Sequence, residues 1–253
     1  MSYFESFDGI KLYFEEQGVG PPVVLLHGLS ASIDLNWRQP GIWKAVLDTG
    51  KRVIGVDARG HGRSDKPHDL AAYQDYAMVR DVRALFDHLA LDRADVVGYS
   101  MGAATALRFA ANEPRLGRLV LGGIGGDPAR WAAADGRDSA RARGRRMLAG
   151  LEADDPSTLD DKLARRARRL MEARGNDLKA MAAILRAGPP LDATFDPATV
   201  TATTLVVCGD NDVSPEPLAA ALPNATALVL EGDHEGVVTN SALAVAIADF
   251  VAA

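Results

Sequence analysis

Cysteine is nearly absent from this chain, and long apolar runs are absent altogether. The single cysteine, Cys208, excludes an internal disulfide and suits a reducing compartment. No apolar run approaches the roughly 18 residues that a membrane-spanning helix needs, and residues 1–5 lack the basic and apolar regions of a secretory signal. We therefore expect a cytoplasmic protein that has no membrane partner.

Positive charge is also in deficit. The chain carries 28 Lys and Arg against 34 Asp and Glu, a net charge of −6, which argues against general binding to nucleic acid. The remaining composition, 47% hydrophobic and 25% charged, is that of an ordinary globular protein. With 253 residues the chain is long enough for one large α/β core with an insertion. Composition leaves the oligomeric state open.

The most informative stretch is Gly-Tyr-Ser-Met-Gly at residues 98–102, which has the pattern G-x-S-x-G. It follows an apolar run at 94–97 and opens a segment of small, helix-compatible residues. A serine hydroxyl is a weak nucleophile unless a sharp turn presents it to a base. At Gly98 and Gly102, a Cβ would collide with neighbouring backbone in such a turn. The alternative is a chance match in a small-residue turn, so the partners of Ser100 decide between the two.

A serine nucleophile needs a histidine base and a carboxylate that orients the histidine. Of the five histidines, only His234 follows Ser100 in the sequence, and it lies in a loop just past an apolar strand pattern at 227–230. Another strand pattern, at 203–208, ends in a turn that contains Asp210 and Asp212. The sequence therefore supplies a nucleophile, a base and two candidate acids.

The strand patterns predict an antiparallel hairpin followed by a parallel sheet. Residues 2–7 and 10–15 alternate in polarity across an Asp8-Gly9 turn, a strong hairpin signal. Apolar strands at 23–26, 52–57, 94–98 and 118–122 then alternate with helical stretches, as in a parallel sheet that is covered on both faces.

Five features in fixed order resemble the α/β-hydrolase family, and the resemblance spans nearly the whole chain. They are a His27-Gly28 turn after an early strand, a D-x-R-G-x-G-x-S loop at 57–64, the serine motif, the acidic turn and the terminal His234. The resemblance implies an α/β fold with a mostly parallel sheet of about eight strands, helices on both faces and a helical cap. The core would comprise residues 1–126 and 200–253, and the cap residues 127–199.

The same resemblance implies roles for individual residues. Ser100 would be the nucleophile and His234 the base, and the family pattern G-x-x-D favours Asp212 over Asp210 as the acid. Backbone N–H groups of Leu29 and Met101 would form the oxyanion hole. The side chains of Leu29 and Met101, together with those of Trp131 and Val213, are expected to line the substrate pocket.

No metal or cofactor is expected. The glycines at 122–126 suggest a dinucleotide fingerprint, but no matching helix and ribose-binding acid follow them. The loop at 57–64 lacks a second cluster that would complete a metal-ligand set. We instead expect Arg59 and His27 to stabilise loops beside the site.

The expected activity is hydrolysis of a small carboxylic ester or lactone through an acyl-enzyme. The family also implies alternatives: C–C bond hydrolases of ring-cleavage products, enol-lactone hydrolases and haloperoxidase-like perhydrolases. A slow-turnover ligand receptor is another alternative. Family dehalogenases and epoxide hydrolases carry an aspartate where this chain has Ser100.

The expected cap carries a local basic surplus. Residues 130–186 contain 12 Arg and 2 Lys against 9 Asp and Glu, a net charge of +5. These cations could attract a substrate that bears a carboxylate, or they could form a solvated helix face. For Arg165, Arg166, Arg168 and Arg169 we expect the solvated face.

Overall fold

Eight strands form one sheet in the computed structural model, which describes residues 2–131, 140–192 and 194–253. The strands are β1 (Ser2–Glu5), β2 (Lys11–Gln17), β3 (Pro22–Leu26), β4 (Arg52–Val56), β5 (Ala94–Tyr99), β6 (Leu116–Gly122), β7 (Thr204–Gly209) and β8 (Ala225–Leu230). Their spatial order is β1-β2-β4-β3-β5-β6-β7-β8. The β1–β2 and β2–β4 pairings are antiparallel, and the pairings from β4 through β3, β5, β6 and β7 to β8 are parallel. The expected fold class is confirmed.

The antiparallel edge begins with the hairpin that the sequence predicts. Gly9 adopts φ +82, and the Ser6 N–H donates to the Ile10 carbonyl at 2.9 Å. Phe4 pairs with Leu12 in the register, and both are buried, so the alternating pattern puts their side chains into the core.

Helices cover both faces of the sheet, which explains why its inner strands are apolar along their whole length. The α-helices are α1 (Ile42–Asp48), α2 (Ala77–His88), α3 (Met101–Ala110), α4 (Ala140–Glu152), α5 (Lys162–Ala173), α6 (Leu178–Ala187), α7 (Glu216–Ala221), α8 (Gly236–Thr239) and α9 (Ser241–Ala252). On one face, Val24 packs in a cluster with residues of α2 and α3. On the other, Val23 and Leu25 pack in a cluster with residues of α1 and α9.

Between β6 and β7 the described chain contains α4, α5 and α6, which we call the helical segment. Residues of all three helices share a separate apolar cluster that includes Leu151, Met171 and Met181. Positions 132–139 and 193 of the predicted cap lie outside the described residues. The division into core and cap therefore stays a prediction.

The sequence Asp155-Pro156-Ser157, followed by apolar residues at Leu159 and Leu163, predicts a helix that begins near Asp155, but the helix begins later. Asp155 caps only a short 3₁₀ turn, Pro156–Thr158, and α5 starts at Lys162 with Asp161 as its N-cap. The Asp161 carboxylate accepts from the Leu163 N–H at 2.8 Å. Two capping aspartates six residues apart look alike in sequence, and the second one starts the long helix.

Across the described residues, no helix is long and apolar enough to span a membrane.

Candidate active site

Ser100 occupies a strained turn between β5 and α3. Its φ is +52, an uncommon value for a residue that has a side chain, and its N–H donates to the Gly122 carbonyl at 2.7 Å. A Cβ built on Gly102 would lie 2.0 Å from the Leu26 carbonyl oxygen, and one on Gly98 would lie 2.5 Å from the Gly102 oxygen. Both contacts are with backbone atoms, so only glycine fits at the two positions.

Three polar side chains, which follow β5, β7 and β8, meet at the edge of the sheet where these parallel strands end. His234 Nε2 lies 2.9 Å from Ser100 Oγ, and His234 Nδ1 lies 2.7 Å from Asp212 Oδ2. The side chain of Asp212 is only 4% exposed, whereas that of His234 is 33% exposed. A carboxylate can only accept at Nδ1, which leaves the Nε2 lone pair directed at the serine hydroxyl. The arrangement can therefore remove a proton from Ser100.

Asp210 and Asp233 bind backbone N–H groups of the loop that carries His234 and do not bind its imidazole. Asp210 Oδ1 accepts from Asn211 Nδ2 and from the Gly232 N–H, each at 3.0 Å. Asp233 Oδ1 accepts from the Gly236 N–H at 2.8 Å, and hydrogen bonds from backbone N–H groups lower the pKa of Asp233. Of the two aspartates considered for the acid, the structure thus brings Asp212 to the imidazole.

The loop after β3 runs beside Ser100. A Cβ built on Gly28 would lie 3.4 Å from Ser100 Cβ, and the Gly28 N–H donates to Asn36 Oδ1 at 2.9 Å. The next residue, Leu29, lines the same cavity as Ser100. Met101 is the first residue of α3, where a backbone N–H has no acceptor within its own helix.

His27 is buried within this loop and has no contact with the imidazole of His234. The Ala58 N–H donates to His27 Nε2 at 3.0 Å, so Nε2 is unprotonated and Nδ1 donates to the Gly28 carbonyl at 2.8 Å. Burial lowers the pKa of His27 and keeps the ring neutral. It therefore braces the loop, as the sequence suggests.

A second buried histidine, His61, binds the backbone of Ser30 in the loop after β3. The Ser30 N–H donates to His61 Nε2 at 3.1 Å, and His61 Nδ1 donates to the Arg59 carbonyl at 3.0 Å. Burial lowers the pKa of His61 to about 3. The Arg59 guanidinium is buried as well and pairs with Asp8 and Asp81. Arg59 thus stabilises the neighbouring loops, as expected.

Ser100 and His234 open into a cavity of about 2060 Å³. The four residues expected to line a pocket, Leu29, Met101, Trp131 and Val213, all line it. Side chains of α4, α5 and α6 form another part of its wall, including Met147, Leu170 and Ile184. The helical segment therefore borders the same space as the nucleophile.

The four arginines of α5 differ in their environments. Arg165 donates to the Leu159 carbonyl, and Arg168 pairs with Glu172 at 2.6 Å. Arg169 is exposed, which fits the solvated face. Arg166 is exposed too, but it lines the cavity, so for this residue the solvated-face interpretation is incomplete.

Three contacts near the site have no signal in the sequence. The Tyr99 hydroxyl donates to the His234 carbonyl at 2.5 Å, Asn36 accepts from Gly28, and Arg174 reaches Ser30 from 144 residues away. Tyr99 occupies a variable position of the serine motif, and the other two residues lie in no motif. Only the folded chain brings these side chains to the site.

The family model described as alpha/beta hydrolase fold matches residues 21–244. The chain belongs to this family. The eight-stranded sheet of this α/β hydrolase, with its serine turn between β5 and α3, agrees with that assignment.

Similar proteins carry several hydrolase names. The chain is 35% identical over 115 residues to an epoxide hydrolase from Caballeronia sordidicola, covering 46% of this chain and 34% of that protein. It is 38% identical over 121 residues to the 2-hydroxy-6-oxo-2,4-heptadienoate hydrolase of Pseudomonas putida, covering 47% of this chain and 42% of that one. An esterase structure from Exiguobacterium antarcticum aligns over 100% of this chain and 99% of its own, with a TM-score of 0.78 and 23% identity. That last likeness concerns the fold alone.

Proposed function

We propose that this α/β hydrolase cleaves a small carboxylic ester or lactone through an acyl-enzyme formed on Ser100. The observation that carries the proposal is the hydrogen-bonded series from Asp212 through His234 to Ser100, with separations of 2.7 and 2.9 Å. A buried carboxylate at Nδ1 and a strained serine at Nε2 give each group a separate role in acyl transfer. The substrate is a small molecule, and the proposed site of action is the cytoplasm.

In the first half-reaction, Ser100 Oγ attacks the carbonyl carbon while His234 Nε2 takes the hydroxyl proton. The carbonyl oxygen gains negative charge, and the N–H groups of Leu29 and Met101 stabilise it. One such donor is commonly worth about 2.7–4 kcal/mol of the barrier. When the tetrahedral intermediate collapses, the bond to the leaving oxygen breaks and the imidazolium returns its proton to that oxygen.

In the second half-reaction, water attacks the acyl-enzyme. His234 takes a proton from the water, and the new intermediate collapses to the carboxylic acid while the proton passes back to Ser100 Oγ. Asp212 remains ionised and stabilises the imidazolium in both halves. Every group in this scheme belongs to the chain, the substrate or water, so the proposal includes no metal or cofactor.

A fluorophosphonate probe tests the nucleophile. We expect a single covalent adduct, located by peptide mass mapping on Ser100, together with loss of esterase activity. Ser100→Ala should lose both the adduct and the activity, and Ser241→Ala, at an exposed serine of α9 outside the cavity lining, should retain both. An adduct on a different serine, or full activity in Ser100→Ala, would overturn the proposal.

Hydrolysis of a C–C bond in a ring-cleavage product is the second candidate. It is favoured by the similarity to a protein named 2-hydroxy-6-oxo-2,4-heptadienoate hydrolase, at 38% identity. A dienone and a short acyl ester of similar size should be compared by kcat/KM. A higher value for the dienone that Ser100→Ala abolishes would favour this candidate over an esterase.

Epoxide opening is a poor match to the nucleophile, although one relative is named an epoxide hydrolase. Attack by Ser100 Oγ on an epoxide carbon would leave an alkyl ether on the enzyme. Such an ether has no carbonyl for water to attack, so the enzyme would stay blocked. An acyl ester on the same oxygen is released by water, and this difference supports an acyl substrate.

Product analysis of the ester assay tests two further hypotheses, a slow-turnover receptor and a perhydrolase. A slow-turnover receptor would release at most a few product molecules per site, whereas an esterase continues to turn over. A perhydrolase would form peracid from the acyl-enzyme when hydrogen peroxide replaces water as the acceptor. We propose that water is the main acceptor, and a yield of peracid above that of acid in buffer with millimolar hydrogen peroxide would contradict this.

A further inference from the structure

One guanidinium connects the helical segment to both loops of the site. Arg174 follows the last residue of α5, and its Nη1 donates to Ser30 Oγ at 2.9 Å. Its Nη2 lies 3.1 Å from Glu235 Oε2. Ser30 is the neighbour of Leu29, and Glu235 is the neighbour of His234. Arg174 therefore bridges the residue after the proposed oxyanion donor and the residue after the proposed base.

The Ser30 end of this bridge is held in an unfavourable conformation. Ser30 has φ +60, which costs free energy for a residue that has a Cβ. Its N–H is bound by His61, its hydroxyl by Arg174, and its carbonyl accepts from Asn176 Nδ2 at 3.2 Å. Two of the three contacts come from Arg174 and Asn176, in the connection between α5 and α6. This segment thus helps to hold the strained loop in place.

Arg174 reaches two residues of the cavity wall without lining the cavity itself. Ser30 and Glu235 line the cavity, and Arg174 is not among its lining residues in the described chain. Its side chain is 27% exposed and its two partners are on different loops. A planar guanidinium has donors at fixed relative positions, so holding both partners fixes the separation of the two loops.

We propose that Arg174 is a positioning residue that keeps the Leu29 N–H and His234 in register with Ser100. This inference rests on the proposed function. An oxyanion donor must lie about 2.7–3.1 Å from the developing charge, and a misplacement of about 1 Å can cost on the order of 100-fold in rate. Because the bridge acts on geometry needed in the transition state, its loss lowers kcat and changes KM little.

The main test is Arg174→Met, which keeps much of the chain length and removes both donors. We expect kcat for a short acyl ester to fall by about 10-fold or more, with KM within about 2-fold of the wild type. Arg169→Met is the matched control, because Arg169 lies in α5 shortly before Arg174, is exposed and lies outside the cavity lining. This control should keep the wild-type kcat. Equal kcat values in the two variants would overturn the proposal.

A second measurement separates positioning from general stability. A trifluoromethyl ketone forms a tetrahedral adduct whose oxyanion occupies the donor site, so its affinity should fall in Arg174→Met by the same factor as kcat/KM. Arg174→Lys, which retains a cation and can reach one of the two partners, should recover part of the loss. A fall in kcat with unchanged affinity for the ketone contradicts the proposal.

A milder variant covers the case in which Arg174→Met does not fold. Ser30→Ala removes only the hydroxyl that Arg174 binds, and we expect kcat and ketone affinity to fall together by a few-fold; unchanged values contradict the bridge. Ser100→Ala in the same assay tests the proposed function separately. If Ser100→Ala is inactive and the Arg174 and Ser30 variants behave as wild type, the inference alone fails.

Discussion

Asp212 Oδ2 lies 2.7 Å from His234 Nδ1, whereas the carboxylate of Asp210, two residues earlier, accepts from the Gly232 N–H in the loop that carries His234. Both aspartates follow β7, and the distinction between them comes from the turn geometry. The Asp212 N–H donates to the Gly209 carbonyl at 3.2 Å, and the Asp212 side chain is almost fully buried. A buried acceptor at Nδ1 holds the imidazole in the tautomer that accepts at Nε2.

Exchanging each aspartate for asparagine tests this distinction. Asp212→Asn places an amide at Nδ1 that can favour the wrong tautomer, and in a comparable triad this costs on the order of 10⁴-fold in kcat. Asp210→Asn can still accept from the Gly232 N–H and should keep kcat within about 3-fold of wild type. Any effect of this substitution should appear in the free energy of unfolding instead. The comparison uses kcat on one ester and the urea midpoint of both variants. The reverse ranking of the two kcat values would contradict the assignment of Asp212.

The strands and the three polar residues of the site can be predicted because each leaves a local pattern. Apolar runs mark β5, β7 and β8, and Ser100, Asp212 and His234 each lie at the end of one of these strands or in the loop just after it. The helix α4 leaves no such pattern, since Ala140–Glu152 has arginines through its first half and apolar residues only near its end. The contacts of Arg174 with Ser30 and Glu235 join residues 144 and 61 positions apart, and only tertiary structure determines them.

Tyr99→Phe should loosen the loop that carries His234. The Tyr99 hydroxyl donates to the His234 carbonyl at 2.5 Å, and burial raises the pKa of Tyr99, which keeps the hydroxyl protonated. Losing such a hydrogen bond typically costs about 0.5–1.5 kcal/mol, and we expect a corresponding fall in the free energy of unfolding with a several-fold fall in kcat. Tyr3→Phe, at an exposed tyrosine in β1, is the control. Unaltered kcat and stability in Tyr99→Phe would refute the role given to this hydroxyl.

Folding stability should fall below about pH 6.5 because His61 stays neutral in the folded state. Burial lowers its pKa from 6.5 to about 3, so between these values the unfolded chain binds a proton that the folded one does not. The stabilisation is complete above pH 6.5 and is lost as pH falls towards 3, with a slope of up to about 1.4 kcal/mol per pH unit.

Urea unfolding at pH 7.5, 6 and 5 measures this slope. His61→Gln keeps an acceptor for the Ser30 N–H and removes the titrating group, so its stability should depend less on pH by up to about 1.4 kcal/mol per unit. Identical slopes in wild type and His61→Gln would mean that His61 does not contribute.

The basic surplus of the helical segment should not steer anionic substrates, because the described cavity wall carries both signs of charge. Its cations are Arg141, Arg143, Arg145, Arg166 and Arg186. Its acidic residues are Asp75, Asp127, Asp192, Asp212, Asp233 and Glu235. With the two signs nearly balanced, the long-range potential at the mouth of the cavity is small.

Salt dependence tests this expectation. The Debye length falls from about 30 Å at 0.01 M to about 3 Å at 1 M salt, so steering of an anion would disappear over that range. We expect the ratio of kcat/KM for a carboxylated ester to that for its neutral analogue to change by less than about 2-fold, because screening removes little when the net field is weak. Arg166→Gln should leave the salt dependence of that ratio unchanged. The expectation is wrong if this ratio is high at low salt and falls steeply with added salt, and if Arg166→Gln removes that salt dependence. That result would give the arginines of the cavity wall a role in substrate choice.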